Sequence, residues 1–309
     1  DAITLDDASN AFSGTVTLST DSGRAVTVVD TTALDLLALS AASLSVTAGG
    51  AITDSGTLAV SGATTLIASG QDITLDEAAS TFGTLALTGS NVAVTENAAM
   101  DLGASTIGGT ANFNSTSNVI TDSGTLAITG ATTINAGTAD ITLDQAASTF
   151  GALALTGANV AVTENAATDL AASTVSGTLG VTSTGAVTDS GTLAITGGTT
   201  ISASGQDITL DEAASTFGTL ALTGANVAVT ENAATDLGAS TVSGTFGITS
   251  GGAITDSGTQ TITGASTFTN TAGTNDAITL DDVSNAFSGT VTFSTDSGSA
   301  VTVVDTTAL

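Results

Sequence analysis

The chain is 309 residues long and carries 29 acids against a single basic residue, Arg24, for a net charge of -28; Cys, His, Pro, Trp and Tyr are absent. One cation cannot neutralise a phosphate backbone, which excludes nucleic-acid binding and argues against anionic membrane surfaces, and without Cys there is neither a disulfide framework nor thiolate chemistry. No continuous apolar stretch reaches the roughly 20 residues of a membrane-spanning helix, and Asp1 does not open a signal peptide.

The first strand signal is Ile3-Thr4-Leu5-Asp6, followed by Phe12. The same phrase begins again at Ile73, Ile141, Ile208 and Ile278, with Phe82, Phe150, Phe217 and Phe287 at the matching place, so the chain repeats every 67 to 70 residues. In the repeat from Asp72 to Ala139, short alternating stretches follow one another: Ile73-Thr74-Leu75, Leu85-Ala86-Leu87, Val92-Ala93-Val94, Ile120-Thr121 and Leu126-Ala127-Ile128. Period-two alternation with β-branched residues predicts strands, and the Gly, Ser, Asn and Asp between them predict turns. No apolar spacing of 3.6 is sustained, so helices are not expected. At the end of the chain, residues 276–309 repeat residues 1–34 with three changes: Ala8 to Val283, Leu18 to Phe293 and Arg24 to Ser299. The chain thus holds one 275-residue period and the start of the next, and the full protein is expected to continue in both directions.

An acid closes the first strand of each smaller segment: Asp6, Asp30, Asp54, Asp76, Glu96, Asp122, Asp144, Glu164, Asp189, Asp211, Glu231, Asp256, Asp281 and Asp305, at intervals of 20 to 26 residues. A segment of that length makes one coil of an all-β, parallel β-helix (a β-solenoid), three coils to a repeat. One coil cannot bury its apolar face, whereas a stack makes a continuous core. About fourteen coils spaced ~4.8 Å apart make a single uninterrupted solenoid over residues 1–309, a rod on the order of 65 Å long. Ala, Val, Leu and Ile fill its narrow interior, with the regularly placed Phe as larger fillers. A string of β-sandwich domains fits less well, since such domains run to about 100 residues and often centre on a Trp or Tyr.

Phrases such as Gly-Ala-Ile-Thr-Asp-Ser-Gly-Thr-Leu-Ala-Val-Ser-Gly from Gly50, with variants at Ala186 to Gly191 and Gly252 to Gly258, resemble the repeats of filamentous-haemagglutinin-like proteins. The resemblance spans essentially the whole chain. It implies a right-handed parallel β-helix, export to the surface of a Gram-negative bacterium, and a role in attachment or surface coating. It implies no catalytic residue.

The acids are the candidate chemistry. Stacked in one column ~4.8 Å apart, like charges repel by about 1 kcal/mol in water and several times more at a dielectric near 20. Three outcomes relieve this: Ca²⁺ or Mg²⁺ binding along Asp54, Asp76, Glu96, Asp122, Asp144, Glu164, Asp189, Asp211, Glu231 and Asp256, protonation, or splaying into solvent as turn residues that keep the protein soluble. No EF-hand or Gly-rich nonapeptide Ca²⁺ loop is present. Paired acids such as Asp76-Glu77 recur at Asp211-Glu212 and lack basic and aromatic partners, so a polysaccharide-cleaving enzyme is not expected. Thr pairs such as Thr15 and Thr17 leave a carbohydrate- or ice-binding surface as an alternative. The expected role is the stalk or body of an extracellular fibre, requiring no cofactor and partnered by copies of itself or by a host or neighbouring cell surface.

Overall fold

The computed structural model describes residues 1–20, 23–271, 276–295 and 298–307. Among these it contains forty strands of two to six residues, all engaged in parallel pairing, and no helix. The chain forms a parallel β-solenoid in two compact units, Asp1–Ala158 and Asn159–Leu309.

In the first unit, one side is the stack Ile3–Leu5, Ala25–Asp30, Ser43–Ala48, Thr64–Ile67 and Thr84–Gly89. A second side stacks Leu34–Leu36, Ile52–Asp54, Ile73–Leu75, Val92–Thr95, Ala111–Asn114, Thr132–Asn135 and Leu153–Gly157. The third side is thin: Leu39–Ala41 pairs with Leu58–Val60, and above it only the bridge from Ala59 to Thr81 remains.

The sides do not run straight through. Thr84–Gly89 covers a single strand below it but lies under two, Met100–Leu102 and Ser105–Ile107. One side therefore divides into two just above the coil where the third side shrinks away. The second unit repeats this. Its third side falls from Ser173–Val175 and Leu193–Ile195 to the bridge between Ala194 and Thr216. Thr219–Gly224, above Thr199–Ser202, then lies under both Thr235–Leu237 and Ser240–Val242. The reason is in the spacing. From Asp76 to Glu96, and again from Asp211 to Glu231, the coil has only 20 residues, too few for three full sides and their corners.

Because side chains alternate across each strand, one in two points inward, and the inward residues form axial columns. Leu34, Ile52, Ile73 and Val92 make one, each in register with the next and each at most 2 % exposed. Burying a side chain of this size contributes about 1.5–3 kcal/mol relative to leaving it in water. Phe82, Phe150, Phe217 and Phe287 are buried as expected, and Phe12 half so. In the last repeat the interior becomes aromatic: Phe268 meets Phe246 and Phe287 edge-on at 5.8 and 5.9 Å and stacks on Phe293 at 5.7 Å.

Corners are kept tight by glycine columns. A Cβ on Gly130 would stand 2.4 Å from the carbonyl oxygen of Gly109, and one on Gly151 would stand 2.2 Å from that of Gly130. The same contact recurs at Gly197 and Gly218, and at Gly264 and Gly289. The backbones approach so closely because the Gly130 N–H donates axially to Gly109 O at 2.9 Å.

Two outcomes are expected in denaturant unfolding. Gly130→Ala forces backbone apart and should cost about 1–3 kcal/mol. Thr64 and Thr199 are fully buried with hydroxyls that find no partner, so Thr64→Val and Thr199→Val keep the shape, remove an unsatisfied group, and should each stabilise by about 1 kcal/mol.

Candidate functional site

The acids do not form one row. In Ile52-Thr53-Asp54 the acid is third, so it points to the same side as the isoleucine, inward. In Ile73-Thr74-Leu75-Asp76 it is fourth and points outward, and in Val92-Ala93-Val94-Thr95-Glu96 it is fifth and points inward again. Asp54, Asp122, Asp189, Glu96, Glu164 and Glu231 are accordingly buried, and Asp30 with them. Asp256 is half-buried, while Asp76, Asp144 and Asp211 are exposed, as are Asp6 and Asp281. Among the described residues no three acids converge as a metal-ligating group.

Each inward Asp lies in an apolar column. Asp54 is in register with Leu36 below it, Asp122 with Leu102, Asp189 with Leu170 and Asp256 with Leu237. Its carboxylate reaches up to the turn of the next coil. Asp54 Oδ1 accepts the Asp76 N–H at 2.9 Å, Asp122 Oδ1 that of Asp144 at 2.8 Å, Asp189 Oδ1 that of Asp211 at 2.8 Å, and Asp256 Oδ1 that of Asp281 at 2.8 Å. In the last three, the second oxygen also accepts the following N–H, at 3.4 Å.

The inward Glu works from the other direction. Glu96 Oε1 accepts the Phe82 N–H of the coil below at 2.6 Å, and Glu231 Oε1 accepts that of Phe217 at 2.7 Å. Asp30 and Asp305 do the same for Phe12 and Phe287, at 3.3 and 3.0 Å. The turns Asp76 to Phe82 and Asp211 to Phe217 are thus gripped at their first N–H from below and their last N–H from above. Between these grips a buried serine completes the turn: Ser80, Ser148 and Ser215 accept the N–H of Leu58, Leu126 and Leu193, each at 3.0 Å. In the last repeat Leu is replaced by Gln260 and Ser by Asn285, whose Oδ1 takes the Gln260 N–H at 2.7 Å.

Burial dominates the electrostatics. Desolvation pushes Asp54 up to about 6, helped by the nearby Asp76 and Glu77 charges and opposed by their N–H groups. It pushes Glu96 and Glu231 up to about 7, against the Phe82 and Phe217 N–H bonds that favour the charged form. Asp122 and Asp189 are raised for the same reason. Glu231 Oε2 also receives the Thr235 hydroxyl at 2.8 Å. Met100 stands where Thr235 does, and Glu96 Oε2 is left without a partner.

Sequence reasoning passed over two further polar ladders. Asp72 Oδ1 accepts the N–H and the side-chain amide of Asn91, and Asn91 Oδ1 accepts the N–H and hydroxyl of Thr110, all at 2.9 to 3.1 Å. Asp207, Asn226 and Thr245 repeat it. Asp236 Oδ2 collects the hydroxyls of Thr219 and Ser257 at 2.9 and 2.8 Å, as Asp101 does those of Thr84 and Ser123. The available signal was the recurrence of each residue at a fixed place in the repeat.

Ser80→Ala leaves the buried Leu58 N–H without an acceptor. A loss of about 1–3 kcal/mol in denaturant unfolding is expected, with the equivalent Ser215→Ala costing the same.

No curated protein and no solved structure matches this chain. A family described as repeats of unknown function (DUF5649) matches it four times in succession, at residues 23–88, 89–156, 157–223 and 224–294. These matches keep step with the 67- to 70-residue period in which the clamped turn recurs. The chain therefore belongs to the family of repeats of unknown function (DUF5649).

Proposed function

We propose that the chain is the repeat body of an extracellular bacterial surface fibre, of the kind the filamentous-haemagglutinin-like resemblance implies, and that its work is mechanical: to extend, space or coat. The observation that carries this reading is the recurrence of one polar arrangement from repeat to repeat. The inward Asp, the buried Ser and, where the turn is gripped from above, the inward Glu bond to backbone of neighbouring coils, so the recurring interior polarity is engaged in joining coil to coil. A surface depression of about 400 Å³ beside Leu18 is lined by Thr, Ser, Ala and Leu and holds no ionisable side chain. The high negative charge suits a solvated surface that resists collapse onto its neighbours.

Antibody raised against this chain should label intact, unpermeabilised cells that make the parent protein. Deleting the stretch 89–156 should preserve labelling while shortening the reach of the surface layer in electron micrographs. Labelling that requires permeabilisation would overturn the extracellular assignment, and an unchanged layer would overturn the spacer role.

A further inference from the structure

The grip on the turns has a consequence that goes beyond a spacer role. The turn Asp76 to Phe82 is held by Asp54 from below and Glu96 from above, and Asp211 to Phe217 by Asp189 and Glu231. These carboxyls are 0 to 8 % exposed. Around Asp54, the strand below contributes only Asp35, at an outward position, the turn above contributes Asp76 and Glu77, and Leu58–Val60 has no ionisable residue. Around Glu231, the turn below contributes Asp211 and Glu212, Thr235–Leu237 contributes the outward Asp236, and Phe246–Ser250 has none. Asp189 and Glu96 face the equivalent sets: Asp169, Asp211 and Glu212 for the first, and Asp76, Glu77 and Asp101 for the second. Every neighbour is an acid. The one side-chain cation of the whole chain, Arg24, is exposed beside Ala25–Asp30. An ionised carboxyl in this setting has no counter-charge; the N–H bonds it receives from the turn offset its burial only in part, and the remaining relief comes from water, which reaches it when the turn swings away from the stack.

We propose that each such turn is a proton-operated latch, shut while the two carboxyls that grip it are neutral and released when they ionise. The direction follows from burial without a counter-charge, since the gripping carboxyls are 0 to 8 % exposed and every charged neighbour is an acid, and it agrees with the raised carboxyl pKa values, about 6 for Asp54 and about 7 for Glu96 and Glu231. A carboxyl raised above its unfolded value contributes stability that is full in acid and is lost as pH climbs through the folded value. The latch is therefore shut at pH 5 and loosened at pH 8. Its release frees the turn and uncovers the coil corner beneath, while the strands on either side keep their axial hydrogen bonds.

Hydrogen–deuterium exchange of the whole chain at pH 5 and pH 8, corrected for intrinsic rates, tests this. Peptides covering 76–83 and 211–218 should lose at least tenfold in protection at pH 8, while peptides covering the strand interiors 43–48 and 179–183 stay within threefold. In the double variant Asp54→Asn, Glu96→Gln, which keeps the acceptor oxygens without the charge, protection of 76–83 should become independent of pH, and 211–218 should behave as before. Equal protection of the turns at both pH values, or the same pH dependence in the double variant, would overturn the latch. Should that variant fail to fold, carboxyl NMR titration of the unaltered protein decides: a Glu96 midpoint below 5 overturns the proposal, and one above 6 supports it.

Discussion

A coil of a parallel solenoid cannot satisfy its own backbone. Its strands donate and accept along the axis, so the strand N–H and C=O groups of a coil depend on the coils on either side. Strand segments meet this demand by register alone. Turns do not, because their N–H groups point in irregular directions and lie partly out of reach of the neighbouring backbone. The buried acids resolve that mismatch. Asp54 and its counterparts extend the reach of one coil upward by a side chain, and Glu96 and Glu231 extend it downward. The last N–H of the turn below is taken by Glu96 and Glu231 in the inner repeats and by Asp30 and Asp305 near the ends, while Asp54 and its counterparts take the first N–H of the turn above.

That solution explains features that otherwise look unrelated. Placing a carboxyl in a column of Leu is costly unless it is neutral or fully hydrogen-bonded, and the raised pKa values record the compromise. The serine at Ser80, Ser148 and Ser215 lets the turn return an acceptor to the strand Leu beneath. The glycine columns at Gly109, Gly130 and Gly151 allow the corners to close to hydrogen-bonding distance. At one place two members of the set change together, Leu to Gln260 and Ser to Asn285, and the bond between them is kept.

The apolar filling varies between repeats. The strand Ala111–Asn114 carries Ala111 and Phe113, its counterpart Leu179–Ser183 carries Leu179 and Val181, and Phe246–Ser250 carries Phe246 and Ile248. Bulk is moved between neighbouring inward positions while the gripped turn is retained. Packing density tolerates such exchange so long as the interior stays filled. A buried turn N–H without an acceptor is not tolerated in the same way, because its desolvation cost has no local remedy.

The strands, the lack of helix and the stacked architecture were determined by sequence alone, because alternation and a 67- to 70-residue period are local, countable properties. Even the inward or outward direction of each acid was legible: counted from the first residue of its strand, Asp54 is third, Asp76 fourth and Glu96 fifth, and side-chain direction alternates. Counting them as a single column overlooked that parity. The 20-residue coil was equally visible as a spacing, but not its effect, the loss of one side and the division of another. Which coil each carboxyl serves was decided only by the tertiary structure. Asp54 grips the turn above and Glu96 the turn below because axial register sets which N–H lies within reach. That register couples residues 14 to 26 positions apart, and no local pattern along the chain encodes which partner is met.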